Sequence, residues 1–396
     1  MKNISDISLK GKKVLIRVDF NVPLDKHFNI NDDSRIIAAL PTIKKVIADG
    51  GKAIIMSHLG RPKNSYEEKF SLKHTTKHLS NLLETEVGFS VDCIGEKTLS
   101  DISKMKNGDV LVLENLRFYS QEKAGDNEFA KQLAKLGDVY VNDAFGTAHR
   151  AHASTSIIAN YFPNNKYFGL LLCNEINSLE TALKNPKRPF TAIIGGAKIT
   201  GKIDVIISLF DKVDNLIIGG GMAYTFAKAM GGNIGNSLVE DDKVALAKSL
   251  ITAAKAKGVQ LLLPSDSVNA KEFNNNAIIQ HSKIITIPDG FMGLDIGSDS
   301  ITHFSKVILN SKTIIWNGPM GVFEMDNFSN GTKQIGEAIC KATTNGAFSL
   351  VGGGDSVAAV KQFGFAEKLS YLSTGGGAML EYLEGKKLPG VTAIQN

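Results

Sequence analysis

Short apolar runs recur along the chain, and within each run the apolar residues are continuous rather than alternating. In the second half, "TAIIGGAK", "NLIIGGGMAYTFAKAM", "TIIWNGPMG", "FSLVGGGDSVAAVKQFG" and "YLSTGGGAMLEYLEG" each pass from an apolar run into glycine, and nearly all then enter a stretch of helical period. The first half has the same rhythm in "KKVLIRVDFNVP", "KAIIMSHLGRP", "DVLVLENLRF" and "VYVNDAFGTAHRAH". Strands with one solvated face alternate, whereas strands covered by helices on both faces do not. The pattern predicts an α/β fold of doubly wound, Rossmann-like parallel sheets.

Length then divides the picture. At 396 residues the chain is long enough for two domains, each with its own core. Between the halves, "YFPNNKYFGLLLCNEINSLETALKNPKRP" predicts a helix over Leu170–Leu183, with Pro163 before it and Pro186 and Pro189 after it. The expected organisation is a first domain over 1–168, a hinge helix over 169–184 and a second domain over 185–376. A last segment, 377–396, is expected to return to the first domain.

The two halves differ in what ends their strands. In the second half the ends carry the glycines at 219–221, 352–354 and 375–377, with Gly195 and Gly196. One triplet would read as a mere turn, but their shared place between strand and helix points to a ligand. Ligands of doubly wound sheets collect at the carboxyl ends of strands, where glycine admits the close approach of a phosphate to a helix start. The loops lack the G-x-G-x-x-G spacing, which disfavours a nicotinamide cofactor. In the first half the ends carry His58, Arg61, Arg117 and Arg150, with Arg35 after a polar turn and Asp19 and Asn21 after "LIRV". Each alone has an ordinary reading as a surface ion, a core histidine or a turn former. Together at equivalent strand ends they suggest a site for a small, multiply charged anion, to which the planar fork of arginine is suited.

The stretch from Gly196 to Lys202 nearly spells the phosphate-loop pattern G-x-x-x-x-G-K-[ST], but Ile203 stands where a metal-binding hydroxyl is required. Cations for an anionic substrate in one half, and helix starts for a polyphosphate in the other, suggest phosphoryl transfer between two ligands at a domain interface.

Composition narrows the partners. Hydrophobic residues at 43% and charged residues at 21% are those of an ordinary globular protein. The net charge of +5 is spread along the chain without long basic runs, which favours small anions over nucleic acid. Cys93, Cys173 and Cys340 form no C-x-x-C pair, and this fits a reducing cytoplasm. The N-terminus lacks the apolar core of about 7–15 residues that a secretory signal needs. No uncharged run reaches the roughly 18 residues of a membrane span.

Nine strings, "RVDFNVP", "SHLGRP", "LENLRF", "NDAFGTAHRAH", "GGAK", "GGGMAYTF", "WNGPMGVFE", "GGGDS" and "STGGGA", occur in the order found in phosphoglycerate kinases, and the chain resembles that family over essentially its whole length. The resemblance implies that Asp19, Asn21, Arg35, His58, Arg61, Arg117 and Arg150 bind 3-phosphoglycerate or 1,3-bisphosphoglycerate, and that Arg35 also faces the group in transit. It implies a nucleotide site for ADP or ATP from Gly196, Lys198, Lys202, Gly220, Gly293, Leu294, Asn317, Pro319, Glu324, Gly353, Gly354, Asp355 and Ser356. Asp355 is the implied Mg2+ contact, and Gly354 and Gly377 join Arg35, Lys198 and Lys202 around the transferred phosphoryl group. The phosphate-loop match is then coincidental, leaving Ile203 to face the core and Lys202 one turn past Lys198 if the helix has begun. The family usually has an acidic residue where this chain has Gly201, and often tryptophan where it has Phe291.

The expected chemistry is direct in-line attack by an ADP oxygen on an acyl phosphate, in a cytoplasmic monomer with no nucleic-acid or membrane partner. A sugar or acid kinase with its own catalytic base, and a non-catalytic nucleic-acid binder, are the two competing readings. The first needs an aspartate poised on a hydroxyl, and the second needs clustered basic and aromatic residues.

Overall fold

The computed structural model describes residues 2–396. In the first half, β1 (Lys13–Arg17), β2 (Lys52–Met56), β3 (Val87–Ser90), β4 (Val110–Leu113), β5 (Val139–Asn142) and β6 (Lys166–Phe168) form a six-stranded sheet in the order β3-β4-β2-β1-β5-β6. Every pairing is parallel. The continuous apolar runs have the expected cause. Val14, Leu15 and Ile16 are consecutive, so their side chains point to opposite faces, yet all are fully buried.

The second half contributes β7 (Phe190–Ile194), β8 (Asn215–Ile218), β9 (Asn233–Ile234), β10 (Gln260–Leu262), β11 (Asp266–Ala270), β12 (Ile279–Lys283), β13 (Thr286–Ile287), β14 (Met292–Ile296), β15 (Thr313–Asn317), β16 (Phe348–Val351) and β17 (Tyr371–Leu372). Its main sheet, β10-β8-β7-β15-β16-β17, is again parallel throughout. Counted along the chain this is the doubly wound order, and its direction reverses between β7 and β15. There the two strand ends touch. Gly195 N donates to Asn317 O at 2.9 Å and Gly196 N to Pro319 O at 3.1 Å. A Cβ at Gly195 would lie 2.1 Å from Pro319 O, so this approach requires glycine.

A three-stranded antiparallel sheet, β12-β11-β14, departs from the expected all-parallel pattern. Its edge strand β12 reads "IQHSK" and is mostly exposed, too polar to register as a strand among buried apolar runs.

The chain divides into two units, residues 1–177 with Lys387–Asn396, and Ser178–Lys386. Leu170–Leu183 is one helix and the division falls within it. Its first turn is held by Asp143, whose Oδ1 accepts from Leu172 N at 3.0 Å. The segment expected to return from residue 377 does so only from Lys387. The helix Gly376–Leu383 stays in the second unit against the helix Ile203–Leu209, with Leu383 O accepting from Ser208 Oγ at 2.8 Å and Lys212 Nζ at 3.1 Å. Beyond it, Gly390 N donates to Ala148 O at 2.8 Å and Asn142 Nδ2 donates to Gly390 O at 3.2 Å.

Candidate functional site

The loops that leave β1, β2, β4 and β5 bring Asp19, Asn21, His58, Arg61, Arg117 and Arg150 to one cavity of about 530 Å³, joined by Arg35 from the helix Ser34–Ala48. All the residues assigned to the anion site by sequence line it. Lys123 and His149 line it too, and were not anticipated. Asp19 is the cavity's carboxylate, and its Oδ2 already accepts from Arg35 Nη1 at 3.1 Å. Arg35 Nη1 also donates to Asn21 O at 3.1 Å. Asn21 Oδ1 in turn accepts from Gly60 N at 2.8 Å, and Gly60 O accepts from Arg117 Nη1 at 2.9 Å. These bonds hold Arg35 as an ion pair with Asp19 and fix Arg117 through a neutral carbonyl, which leaves the Arg117 charge uncompensated.

Burial, followed by the charge of Arg17, lowers Arg117 to about 10, still protonated at neutral pH. Its Nε is buried with no hydrogen-bond partner in the protein. A buried, charged donor left unpaired is costly, and an anionic ligand would satisfy it. Burial and then the neighbouring Arg17, Arg117 and Arg35 hold His58 well below the usual histidine value, so the ring is neutral. Arg17 was overlooked by sequence reasoning. It is the last residue of β1 and fully buried. A charged residue inside the run "VLIRV" was the signal.

In the second unit two adjoining cavities share Gly196, Ala197 and Asp355. The smaller, about 310 Å³, is lined by Lys198, Lys202, Asn317, Gly353, Gly354, Ser356 and Gly377. The larger, about 700 Å³, is lined by Gly220, Gly293, Leu294, Pro319 and Glu324, and by Tyr224, Met292, Val322 and Met325, which sequence reasoning did not single out. The first has the amides of a helix start and two lysines. The second has the apolar walls that suit a flat base.

Local geometry explains the glycines here. Gly353, at φ +102°, precedes the helix Gly354–Gln362, and a Cβ on it would stand 2.6 Å from Asn317 Nδ2. Gly220, at φ +68°, would set a Cβ 2.6 Å from the Gly196 backbone. Gly293 leaves room for the Tyr224 hydroxyl, 2.1 Å from where a Cβ would be. Lys202 Nζ donates to Asn317 Oδ1, Asn317 Nδ2 donates to Gly352 O at 2.7 Å, and Gly318 N donates to Ser356 Oγ at 2.6 Å. Burial lowers Lys202 to about 8, against the pull of Asp355.

One sequence expectation fails locally. Helix begins at Ile203, after a 3-10 turn over Thr200–Lys202, so Lys198 precedes any helix and the two lysines share no helical turn. Ile203 is half-buried at the head of that helix. Both lysines nevertheless line the same cavity, because the loop from β7 turns around it.

A guanidinium-lined anion cavity in one doubly wound unit, and a glycine-walled cavity at helix starts in the other, are the equipment of a phosphotransferase. The phosphoglycerate kinase family profile matches residues 4–386. The chain is 55% identical to the phosphoglycerate kinase of Porphyromonas gingivalis, covering 99% of each chain, and 53% identical to that of Chlorobaculum tepidum, covering 100% of this chain and 99% of the other. Its fold superposes on the phosphoglycerate kinase of Coxiella burnetii with a TM-score of 0.90 at 40% identity, over 99% of this chain and 98% of that one. The enzyme of Pyrococcus horikoshii gives a TM-score of 0.83 at 30% identity, over 100% and 98%. The chain belongs to the phosphoglycerate kinase family.

Proposed function

We propose that the chain catalyses the reversible transfer of a phosphoryl group from 1,3-bisphosphoglycerate to ADP, giving 3-phosphoglycerate and ATP. The observation that carries this reading is the convergence of Arg35, Arg61, Arg117, Arg150 and His58 on one cavity whose carboxylate is already engaged by Arg35. A kinase that deprotonates a hydroxyl needs a free base, and Asp19, bonded to a guanidinium, is poorly suited to that role. An acceptor that is already an ionised carboxylate needs no base.

In this reading Asp19, Asn21, Arg35, His58, Arg61, Arg117 and Arg150 bind the phosphoglycerate, with Arg117 Nε gaining the partner it lacks. The nucleotide takes the other site. Gly220, Gly293, Leu294 and Pro319 border the base, Glu324 accepts from the ribose, and Gly196, Lys198, Lys202, Asn317, Gly353 and Ser356 meet the phosphates. Phosphoryl transfer places charge on the equatorial oxygens of the moving group, so catalysis is mostly a matter of positioned positive charge. Arg35, Lys198, Lys202 and the amides at Gly354 and Gly377 provide it. The two ligands meet by closure about the helix Leu170–Leu183, which shields the acyl phosphate from water.

Asp355 fits magnesium. It is exposed in the first turn of the helix Gly354–Gln362, it lines both cavities, and Mg2+ takes one or two carboxylates with phosphates and water making up the rest. Bound there with the nucleotide, the ion would neutralise phosphate charge. Among the described residues no helix is long and apolar enough to cross a membrane. The reading is completed by a cytoplasmic monomer acting on small anions, with neither nucleic acid nor membrane as partner. The test is ATP production from 1,3-bisphosphoglycerate that requires both ADP and magnesium. Absence of turnover with 1,3-bisphosphoglycerate, in a folded protein that phosphorylates a sugar, would overturn the proposal.

A further inference from the structure

His58 lines the anion cavity but is almost wholly buried. A neutral imidazole has one nitrogen that donates and one that accepts, and the tautomer decides which of them a ligand meets. Arg17 settles the matter from behind. Its guanidinium, which can only donate, is divided among three polar neighbours. Nε donates to Ser154 Oγ at 2.8 Å, Nη1 to Val18 O, and Nη2 lies 3.3 Å from His58 Nδ1. Ser154 Oγ in turn donates to Glu122 Oε1 at 2.6 Å, and Glu122 Oε2 accepts from Ser154 N at 3.0 Å. The buried Glu122 therefore meets the arginine charge through one hydroxyl, and the guanidinium is fixed in orientation.

An N–H on His58 Nδ1 would set donor against donor across that 3.3 Å contact. Asp19 Oδ1, the alternative acceptor, is 3.9 Å from Nδ1 and beyond hydrogen-bond reach. We propose that Arg17 is a positioning residue that locks His58 as the Nε2–H tautomer, so that the ring meets the phosphate or carboxylate of the substrate as a hydrogen-bond donor. The inference rests on reading this cavity as the phosphoglycerate site.

The surrounding charges agree with it. The groups facing the ring are Arg17 from β1, Asp19 just beyond it, Arg35 from the helix Ser34–Ala48, Arg117 beyond β4 and His152 beyond β5. Burial, then Arg17, then Arg117 and Arg35 all oppose protonation, while Asp19, which would favour it, is bonded to Arg35. The ring thus supplies a donor whose state does not change near neutral pH.

Long-range proton–nitrogen NMR spectra of the 15N-labelled protein test this directly, with the His58 signals assigned by their loss in His58→Gln. Between about pH 6 and 8, where an ordinary histidine titrates, the ligand-free wild type should show an unprotonated Nδ1 and a protonated Nε2 throughout. A proton on Nδ1, or a doubly protonated ring, would overturn the proposal. Adding 3-phosphoglycerate should shift the Nε2–H signal. The expected tautomer with signals indifferent to 3-phosphoglycerate would uphold the role of Arg17 and overturn the assignment of the cavity. In Arg17→Met, burial, Arg117 and Arg35 still hold the His58 ring neutral near pH 7, but the fixed tautomer should be lost, with part of the molecules carrying the proton on Nδ1, and KM for 3-phosphoglycerate should rise. A folded Arg17→Met protein whose His58 keeps the wild-type tautomer would show Arg17 to be merely structural. If that variant does not fold, the wild-type spectrum alone decides.

Discussion

The two units share an architecture and wall their cavities by opposite means. In the first, the cavity wall consists of side chains: Arg35, Arg61, Arg117 and Arg150 reach in from four separate segments, with Arg35 braced by Asp19 and Asn21 O and Arg117 by Gly60 O. In the second, the wall is largely main chain: Gly195, Gly220 and Gly221 let backbone approach backbone, and Gly353, Gly354, Gly376 and Gly377 stand at the starts of helices. A site made of side chains is broken by removing atoms. A site made of backbone is broken by adding them.

The largest expected effects come from removing charge that faces the transferred group. Loss of one preorganised donor costs about 2.7–4 kcal/mol of barrier, so Arg35→Ala and Lys202→Ala should each lower kcat by at least roughly 10²- to 10³-fold in a protein that still folds. Steady-state kinetics with circular dichroism checks both, and near-normal turnover in folded Lys202→Ala would remove that lysine from the mechanism. Titration of Lys202 should also be visible without mutation. Burial disfavours its ammonium form, which is lost as pH rises through about 8. In the ligand-free enzyme, kcat/KM for nucleotide should therefore fall above that pH, by about tenfold per unit once the group is mostly neutral. Lys202→Arg should abolish that limb, since guanidinium stays charged.

Adding atoms to the second site should have an intermediate effect. Alanine at Gly220 would require a left-handed backbone and a Cβ 2.6 Å from the Gly196 main chain. The backbone cost alone is about 1–2 kcal/mol, so binding of magnesium–ADP should weaken on the order of tenfold while 3-phosphoglycerate affinity is retained. Calorimetry with each ligand separates the two. The smallest effect sharpens the contrast. Gly201 has ordinary φ and open space around its missing Cβ. Gly201→Ala should therefore stabilise the protein by about 0.4–1 kcal/mol in thermal or denaturant unfolding, because only the unfolded chain loses freedom.

Much of this contrast was legible in the chain because parallel sheets write themselves plainly. Strands buried on both faces must be apolar throughout, so "VLIR", "AIIM" and "TAII" announced β1, β2 and β7, and the polar or glycine residues after them marked the ends that open on cavities. What stayed hidden depended on partners remote in sequence. Arg17 belongs to the strand by position, and its role comes from Ser154 and His58, far along the chain. The β12-β11-β14 sheet has a polar edge strand that local propensity does not reveal. The return of the chain to the first unit from Lys387 rather than residue 377 is set by the docking of Leu383 O on Ser208 and Lys212. Likewise, Lys198 and Lys202 share a cavity through the path of a loop, where spacing suggested a helical turn.

The division of ligands between the units is tested most directly by calorimetric titration of wild type and Arg117→Ala, with 3-phosphoglycerate and magnesium–ADP added separately. Truncating a buried, charged partner costs about 2–5 kcal/mol, so the variant should bind 3-phosphoglycerate roughly 30-fold or more weakly and magnesium–ADP as the wild type does. Unchanged 3-phosphoglycerate affinity, or an equal loss for both ligands, would contradict the account.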